Sequence, residues 1–185
     1  MAVVTNVKIF GFEDSIKASK YPMAVDTIMC TPEITPTVRS LASADMGSGH
    51  DQFLTGIVVQ FDLTFSIKAW TEAERYHFLD FVSSQSTMHK IAKMDVEKQC
   101  NKYVTTSTLG ELKYLIDCYN DDPTTENYLK LLYNVPVGFR LTARMTTNYR
   151  QLKTIYHQRK NHRLPEWREF CEWIETLPMA KEITK

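Results

Sequence analysis

The sequence predicts an α+β fold, in which long antiparallel-type strands form a sheet that helices cover. Residues 57–69 and 137–146 carry the strand prediction, because apolar and polar side chains alternate along both stretches. A period of two over this length is typical of a strand with one buried face. The 185 residues contain no repeat, linker or low-complexity segment, so we expect one domain, 1–185.

The alternation defines which side chains the two predicted strands bury. The first strand places on its apolar face Ile57, Val59, Phe61, Leu63, Phe65 and Ile67. The second strand places there Val137, Phe139, Leu141, Ala143 and Met145. Since both faces are apolar along the whole length, we expect the two strands to share one sheet.

The N-terminal third is predicted from shorter signals. Residues 3–11, rich in valine and isoleucine, predict a strand that ends at Gly11. Residues 12–34 contain prolines and are expected to be irregular. Thr35 followed by Pro36 is an N-cap with proline at the first helical position, and predicts a short helix to about Ala44.

The remaining elements are predicted to be helices. Thr71 with Glu74 forms a capping box, which would open a helix carrying residues 75–89. Thr108 with Glu111 is a second capping box and predicts another helix.

Two further helices close the chain. One is predicted from about Thr147 to about Arg163, and Pro165 is expected to open the last one. The aromatic side chains of this part, Trp167, Phe170, Trp173 and Tyr156, are expected to pack in the core rather than to form a platform for ring stacking.

Composition excludes several classes of protein. Lys plus Arg and Asp plus Glu number 22 each, and this balance argues against a general nucleic-acid or membrane-surface binder, which relies on a basic field. None of the four cysteines forms a CxxC pair, so no metal site is predicted. Without a signal peptide or a membrane-spanning run, the chain is expected in a reducing cytoplasm, with free thiols.

Polar side chains on the helix predicted near residues 147–163 are candidates for ligand binding. Arg159 follows Asn148 by eleven positions, about three helical turns, so both lie on a similar side of the helix and could line one groove. The planar fork of an arginine suits phosphate or the carbonyl edge of a pyrimidine. The alternative is a solvated basic helix.

The stretch RYHFLDFVSSQSTMH, residues 75–89, suggests a second group of ligands. Its hydroxyl side chains and basic residues could hold a phosphate and a charged cofactor, or it could be a surface helix that runs into a polar loop. In the second case Arg75 would pair with a neighbouring glutamate, and His89 would cap the last carbonyls of its helix.

Together these motifs resemble the flavin-dependent thymidylate synthase family, ThyX. The resemblance is carried by Pro136, Asn148-x-Arg150-x-Leu152, Arg159 and His162 before a helix that bears tryptophan. Residues 49–61 resemble the family's Gly-His turn and the strand that follows it. Residues 75–77 and 83–87 stand near its Arg-His-Arg and serine-rich stretches. The resemblance spans about residues 45–175 and is nearest to phage-borne relatives.

The resemblance implies a function and a set of site residues. Family members bind FAD and dUMP at the subunit interfaces of a homotetramer, and methylate dUMP at C5 with NADPH and methylenetetrahydrofolate as co-substrates. The residues that would contact FAD are Arg75, His77, Asn148 and Arg150. Those that would hold the nucleotide are Ser84, Ser86, His89 and Arg159, and Arg159 would also polarise the uracil edge as the catalytic residue.

Departures from the family pattern motivate two alternatives. Tyr76 and His77 stand where the family has a histidine and a second arginine, and the glutamate of its signature is absent. A fold without the enzyme activity would make the chain a phage-encoded binding module that sequesters a nucleotide or inhibits a host protein. A structural phage protein is the third hypothesis, and it predicts a large regular assembly without either ligand.

Overall fold

The computed structural model describes residues 3–185, in which four strands form one sheet. The strands are β1 (Val4–Phe10), β2 (Val58–Ser66), β3 (Asp80–Ser84) and β4 (Arg140–Asn148). Their order in the sheet is β1-β2-β4-β3, and β1 pairs with β2 in the antiparallel sense. With 51% of the residues in helices and 17% in strands, the predicted α+β class is confirmed.

Helices occupy most of the remaining chain. They are α1 (Phe12–Ala18), α2 (Pro36–Ala42), α3 (Ile67–Ala73), α4 (Thr87–Lys90), α5 (Val96–Gln99), α6 (Thr106–Asp121), α7 (Thr125–Tyr133), α8 (Tyr149–Arg159), α9 (Pro165–Ile174) and α10 (Ala180–Ile183). The described helices include none that is long and apolar enough to cross a membrane.

The described chain divides into two compact units. Unit 1 comprises residues 3–63, 76–82 and 144–185, and unit 2 comprises residues 64–75 and 83–143. The core of unit 1 includes an aromatic cluster in which the ring of Phe61 lies 4.7 Å from that of Trp173 and 5.7 Å from that of Phe170. The core of unit 2 contains Ile91, Val96, Cys100, Leu112, Leu131 and Phe139. The single domain expected from the sequence stays a prediction.

The alternation in β2 is confirmed, but the strand is shorter than predicted. The apolar side chains at odd positions from Ile57 to Phe65 are all fully buried. The strand ends at Ser66 rather than at residue 69, because the Ser66 hydroxyl oxygen accepts a hydrogen bond from the backbone N–H of Ala69 (3.2 Å). Ser66 is therefore the N-cap of α3, and a capping serine outweighs the alternating pattern.

The second predicted strand begins later than expected. Phe139, Ala143 and Met145 are buried as predicted, whereas Val137 is exposed. The Phe139 N–H bonds to the Pro136 carbonyl (2.8 Å), so a turn precedes β4 and the strand begins at Arg140.

The prediction of one helix that carries residues 75–89 is wrong. The hydroxyl of Thr71 donates to the Lys68 carbonyl (2.8 Å) inside α3 and does not cap a new helix. Since Ser66 already opens that helix one turn earlier, α3 ends at Ala73. The chain then turns, and β3 occupies Asp80–Ser84 in the middle of the stretch.

Helix boundaries elsewhere follow local capping. Residues 12–34, predicted to be irregular, contain α1, which follows Gly11 in a left-handed conformation (φ 67°). The short helix after Thr35 is confirmed as α2, with the Thr35 hydroxyl accepting from the Val38 N–H. In unit 2, α6 begins at Thr106 rather than near residue 108, because Thr105 is its N-cap.

Candidate functional site

A cavity of about 490 Å³ lies beside the N-terminus of α8 in unit 1. Asn148 ends β4 and caps α8, its side-chain oxygen accepting from the Gln151 N–H (2.9 Å). The turn after α3 contributes Phe78, whose carbonyl accepts from the Thr147 hydroxyl (2.6 Å). The cavity is lined by Met46, Gly47, Gln52, Thr55, Phe78, Asn148, Arg150, Gln151 and Thr154.

Arg150 is fixed on the wall of this cavity by two side chains. Its Nε donates to Asp51 Oδ1 (3.1 Å) and its Nη1 donates to Gln52 Oε1 (2.7 Å). A guanidinium has five N–H groups. The remaining three have no partner among residues 3–185, and the side chain is one-third exposed. The guanidinium is thus held in one orientation with a free edge for a ligand oxygen.

The carboxylate that holds Arg150 is buried between two cations. Asp51 is fully buried, and its Oδ2 accepts from Lys153 Nζ (3.1 Å). Lys153, which is 3% exposed, also donates to the carbonyls of Ala42 (2.9 Å) and Ala44. Buried charges are tolerated when they are paired and hydrogen-bonded. Asp51, Lys153 and Arg150 form one network of this kind, which we call the Asp51 network.

Thr154 and the loop 45–50 form another part of the cavity wall. The Thr154 hydroxyl donates to the carbonyl of Arg150 (3.2 Å) and lies 3.7 Å from Met46 Sδ. Gly47 and Gly49 both have positive φ, a conformation that residues with a side chain rarely adopt. The loop 45–50 can therefore turn sharply beside the cavity.

Arg159, the predicted catalytic residue, lies elsewhere in unit 1. It is 5% exposed, and its Nε donates to the Tyr76 hydroxyl (2.6 Å). Its guanidinium carbon lies 4.8 Å from the centre of the Trp167 ring, a cation–π distance. Asn148 lines the cavity, whereas Arg159 is not among the lining residues.

The predicted FAD residues Arg75 and His77 lie on or near a turn. Arg75 belongs to unit 2, where it forms an ion pair with Glu72 (3.2 Å) and is 62% exposed. This is the pairing that a helix arginine is expected to make with a neighbouring glutamate. His77 belongs to unit 1 and is exposed.

The predicted phosphate residues lie on the surface of unit 2. Ser84 is the exposed last residue of β3, and Ser86 precedes α4. His89 is exposed in the last turn of α4. None of these three side chains has a hydrogen bond to another residue of the described chain, and in this they differ from Asn148 and Arg150.

Several ionisable groups of α8 and α9 have shifted pKa values. Burial lowers the pKa of His157, and the nearby ammonium groups act in the same direction. A hydrogen bond from Tyr156 to Glu175 (2.6 Å), together with burial, raises the pKa of that phenol to about 12. Burial raises the pKa of Cys171 to about 12, so this thiol is a poor nucleophile at neutral pH.

Sequence reasoning missed Asp51 and Lys153. Residues 149, 152, 153 and 156 are all buried and lie at helical spacing, so Lys153 falls within the apolar stripe of its helix. A lysine in that stripe requires a buried counter-charge, and this requirement was the available signal. In residues 3–185 no three His, Cys, Asp or Glu side chains are grouped to hold a metal ion.

This fold is similar to that of flavin-dependent thymidylate synthases whose structures are solved. No family model matches the sequence, and no curated protein matches it. Solved structures, in contrast, match the fold of this chain. Two structures of ThyX from Helicobacter pylori, complexed with FAD and dUMP, match with TM-scores of 0.70 and 0.74. Both are 14% identical to this chain, and the match covers 97% of each chain.

A third structure with this fold is a UMP/dUMP methylase, PolB from Streptomyces cacaoi, bound with 5-Br UMP. Its TM-score is 0.64 at 13% identity, over 99% of this chain and 94% of that one. At identities this low the likeness establishes the fold, and the predicted ThyX-like architecture is confirmed.

Proposed function

We propose that this chain is a ThyX-like protein that binds a pyrimidine nucleotide, dUMP. The observation that carries the proposal is the fold, which is shared with proteins solved in complex with dUMP or 5-Br UMP. The free edge of Arg150 beside Asn148 adds a site for the cofactor. A guanidinium edge and a side-chain amide can bind carbonyl and phosphoryl oxygens with fixed geometry.

The roles of the individual residues follow the family resemblance. Arg75, His77, Asn148 and Arg150 would bind FAD. Ser84, Ser86 and His89 would hold the nucleotide phosphate, and Arg159 would act on the uracil edge. Among these, Asn148 and Arg150 line one cavity, and this supports their shared role.

FAD fits the chemistry of that cavity. The ring of Phe78 offers an apolar surface, while Asn148 and Arg150 offer hydrogen-bond groups for carbonyl or phosphate oxygens. When bound, FAD supplies the redox chemistry of the reaction. The protein then binds, orients and supplies fixed charge. The net reaction would be methylation of dUMP at C5, with methylenetetrahydrofolate as carbon donor and NADPH as reductant.

The first experiment is an absorbance spectrum of the purified protein before and after incubation with FAD and desalting. Retained flavin bands are expected, and Arg150→Ala should lose them while Lys160→Ala, just after the end of the same helix, keeps them. A protein that stays colourless would contradict the FAD role. Calorimetry with dUMP then tests the nucleotide role separately.

A second function is favoured by one observation. Arg75 is already paired with Glu72 at an exposed position, so a member of the proposed FAD set is engaged in a surface ion pair. The alternative is a catalytically inactive phage-encoded module that sequesters a nucleotide or inhibits a host protein. Conversion of dUMP to dTMP with NADPH and methylenetetrahydrofolate would exclude it.

We also propose that copies of the chain associate, as a tetramer by the family resemblance, and that it works in the cytoplasm. Strongly exposed apolar side chains in residues 23–29 support association, because such a patch is unusual on a protein without partners. Four of them are at least 76% exposed: Met23, Val25, Ile28 and Met29. Light scattering coupled to size-exclusion chromatography measures the assembly, and a monomer would contradict the proposal.

A further inference from the structure

The charge of the cavity wall depends on a residue that does not line the cavity. Arg150 is the one charged side chain among the nine residues that line it in the described chain. Its Nε is bonded to Asp51, and a carboxylate in that position would by itself cancel the charge of the guanidinium. Lys153 pairs with the other oxygen of the same carboxylate. Two cations therefore share one anion, and a net positive charge is left.

Lys153 is placed to act on the site only through Asp51. An ammonium group has three N–H donors. All three have partners, namely the carbonyls of Ala42 and Ala44 and the Asp51 carboxylate. The side chain is 3% exposed, so it does not reach a ligand.

We infer that Lys153 is a positioning residue that offsets Asp51 and thereby makes the Arg150 wall a binding surface for a phosphoryl group. This inference rests on the proposed function and deepens it, because it names the part of the ligand that the cavity recognises. Phosphoryl oxygens are anionic and match the forked edge of a guanidinium. The group could belong to dUMP or to the pyrophosphate of FAD, and both share this chemistry.

Calorimetric titration with two matched ligand pairs tests the inference. The pairs are dUMP with 2′-deoxyuridine and FAD with riboflavin, which differ in the phosphate-bearing part. In Lys153→Met, Asp51 would neutralise Arg150. The affinity for the phosphate-bearing member of one pair should then fall on the order of tenfold, while its phosphate-free partner keeps its affinity.

Two further variants separate charge from folding. Asp51→Asn combined with Lys153→Met restores one net positive charge on the wall and should recover most of the lost affinity. Lys160→Met removes a charge from the residue that follows α8 and does not contact Asp51, so the affinity for all four ligands should stay within about twofold of the wild-type value. If Lys153→Met lowers the affinity for both members of a pair by the same factor, the role of Lys153 is structural only and the inference is overturned.

The outcomes also distinguish the two sources of phosphate. If Lys153→Met loses affinity for dUMP alone, the phosphoryl group at Arg150 belongs to the nucleotide. If it loses affinity for FAD alone, the phosphoryl group belongs to the cofactor. If Lys153→Met does not fold, the wild-type protein still decides, since equal affinity for both members of each pair would contradict the inference. Binding of none of the four ligands would overturn the proposed function instead. Titration with inorganic pyrophosphate then tests the charge of the wall alone, and no binding overturns the inference.

Discussion

The Asp51 network of unit 1 and the segment 83–90 of unit 2 differ in how their polar side chains are hydrogen-bonded. In the network, each charged group has a hydrogen-bonded partner within the unit, and Asp51 and Lys153 are buried. In the segment, the side chains of Ser84, Ser86 and His89 make no such bonds in the described chain. The first region is ordered before any ligand arrives, whereas these three side chains of the second are solvated.

This difference predicts how the two regions respond to mutation. A preorganised group contributes to stability as well as to binding, because its partners are left unsatisfied when it is removed. A solvated serine contributes to binding alone, since its hydroxyl is hydrogen-bonded to water in both the free and the unfolded protein. Mutations in the network should therefore affect folding, while those in the segment should affect affinity only.

The largest effect is expected for Asp51→Ala. The variant leaves Lys153 buried without its counter-charge, and should lower the free energy of unfolding by about 3–5 kcal/mol. Urea denaturation followed by circular dichroism measures the change. Asp45→Ala is the matched control, because Asp45 is exposed in the neighbouring loop, and it should cost no more than about 0.5 kcal/mol. Equal effects of the two substitutions would show that the network does not stabilise the fold.

A smaller loss of stability is expected for Tyr76→Phe. The Tyr76 hydroxyl accepts from Arg159 and donates to Gln158 Oε1 (3.0 Å), and the variant removes both bonds while the ring remains. Because one partner is charged, the cost should be about 1.5–3 kcal/mol in the same denaturation experiment. Tyr21→Phe, at an exposed position of unit 1, should be neutral. A neutral Tyr76→Phe would mean that Arg159 is held by its other contacts.

The segment 83–90 should show the reverse behaviour. Ser84→Ala with Ser86→Ala is expected to weaken dUMP binding on the order of tenfold and to change stability by less than about 0.5 kcal/mol. Ser83→Ala is the control, because successive side chains of a strand point to opposite faces. Calorimetry and thermal unfolding give the two quantities. Unchanged affinity in the double variant would remove the segment from the proposed site.

The smallest effect concerns pH and His157. Its native pKa is lowered from the ordinary value of 6.5, so the unfolded chain binds more protons below that pH. The contribution to stability is complete above about pH 6.5 and is lost as the pH falls towards the native pKa. Denaturation between about pH 7.5 and about pH 5 should therefore show a declining free energy of unfolding. His157→Gln should flatten the decline, and a slope equal to that of the wild-type protein would contradict the assignment.

Local signals in the sequence were sufficient for much of the fold. Strict alternation identified β2, while Thr35-Pro36 marked the start of α2 and Pro165 that of α9. The helix predicted over residues 75–89 failed because two capping signals compete within a few residues, and Ser66 precedes Thr71. Composition alone does not decide between two adequate caps.

The site was less accessible to prediction. Asn148 and Arg150 stand out by their motif, and the cavity brings them together. Asp51 and Lys153 are 102 residues apart in the chain, so their pairing depends on tertiary contacts. Their burial is likewise a property of the folded chain and of the neighbours each one meets. A lysine within an apolar stripe indicates that a partner exists, but not which residue it is.

The contacts of Lys153 with Ala44 and Asp51 close a short loop whose tip carries Met46 and Gly47. These contacts hold both ends of the loop, and lengthening its tip should cost little stability, since the entropy of loop closure grows only slowly with length. The tip, which lines the cavity through Met46 and Gly47, can therefore be changed separately from the rest of the loop. Substitution or lengthening there offers a route to altered ligand selectivity without redesign of the protein beneath it.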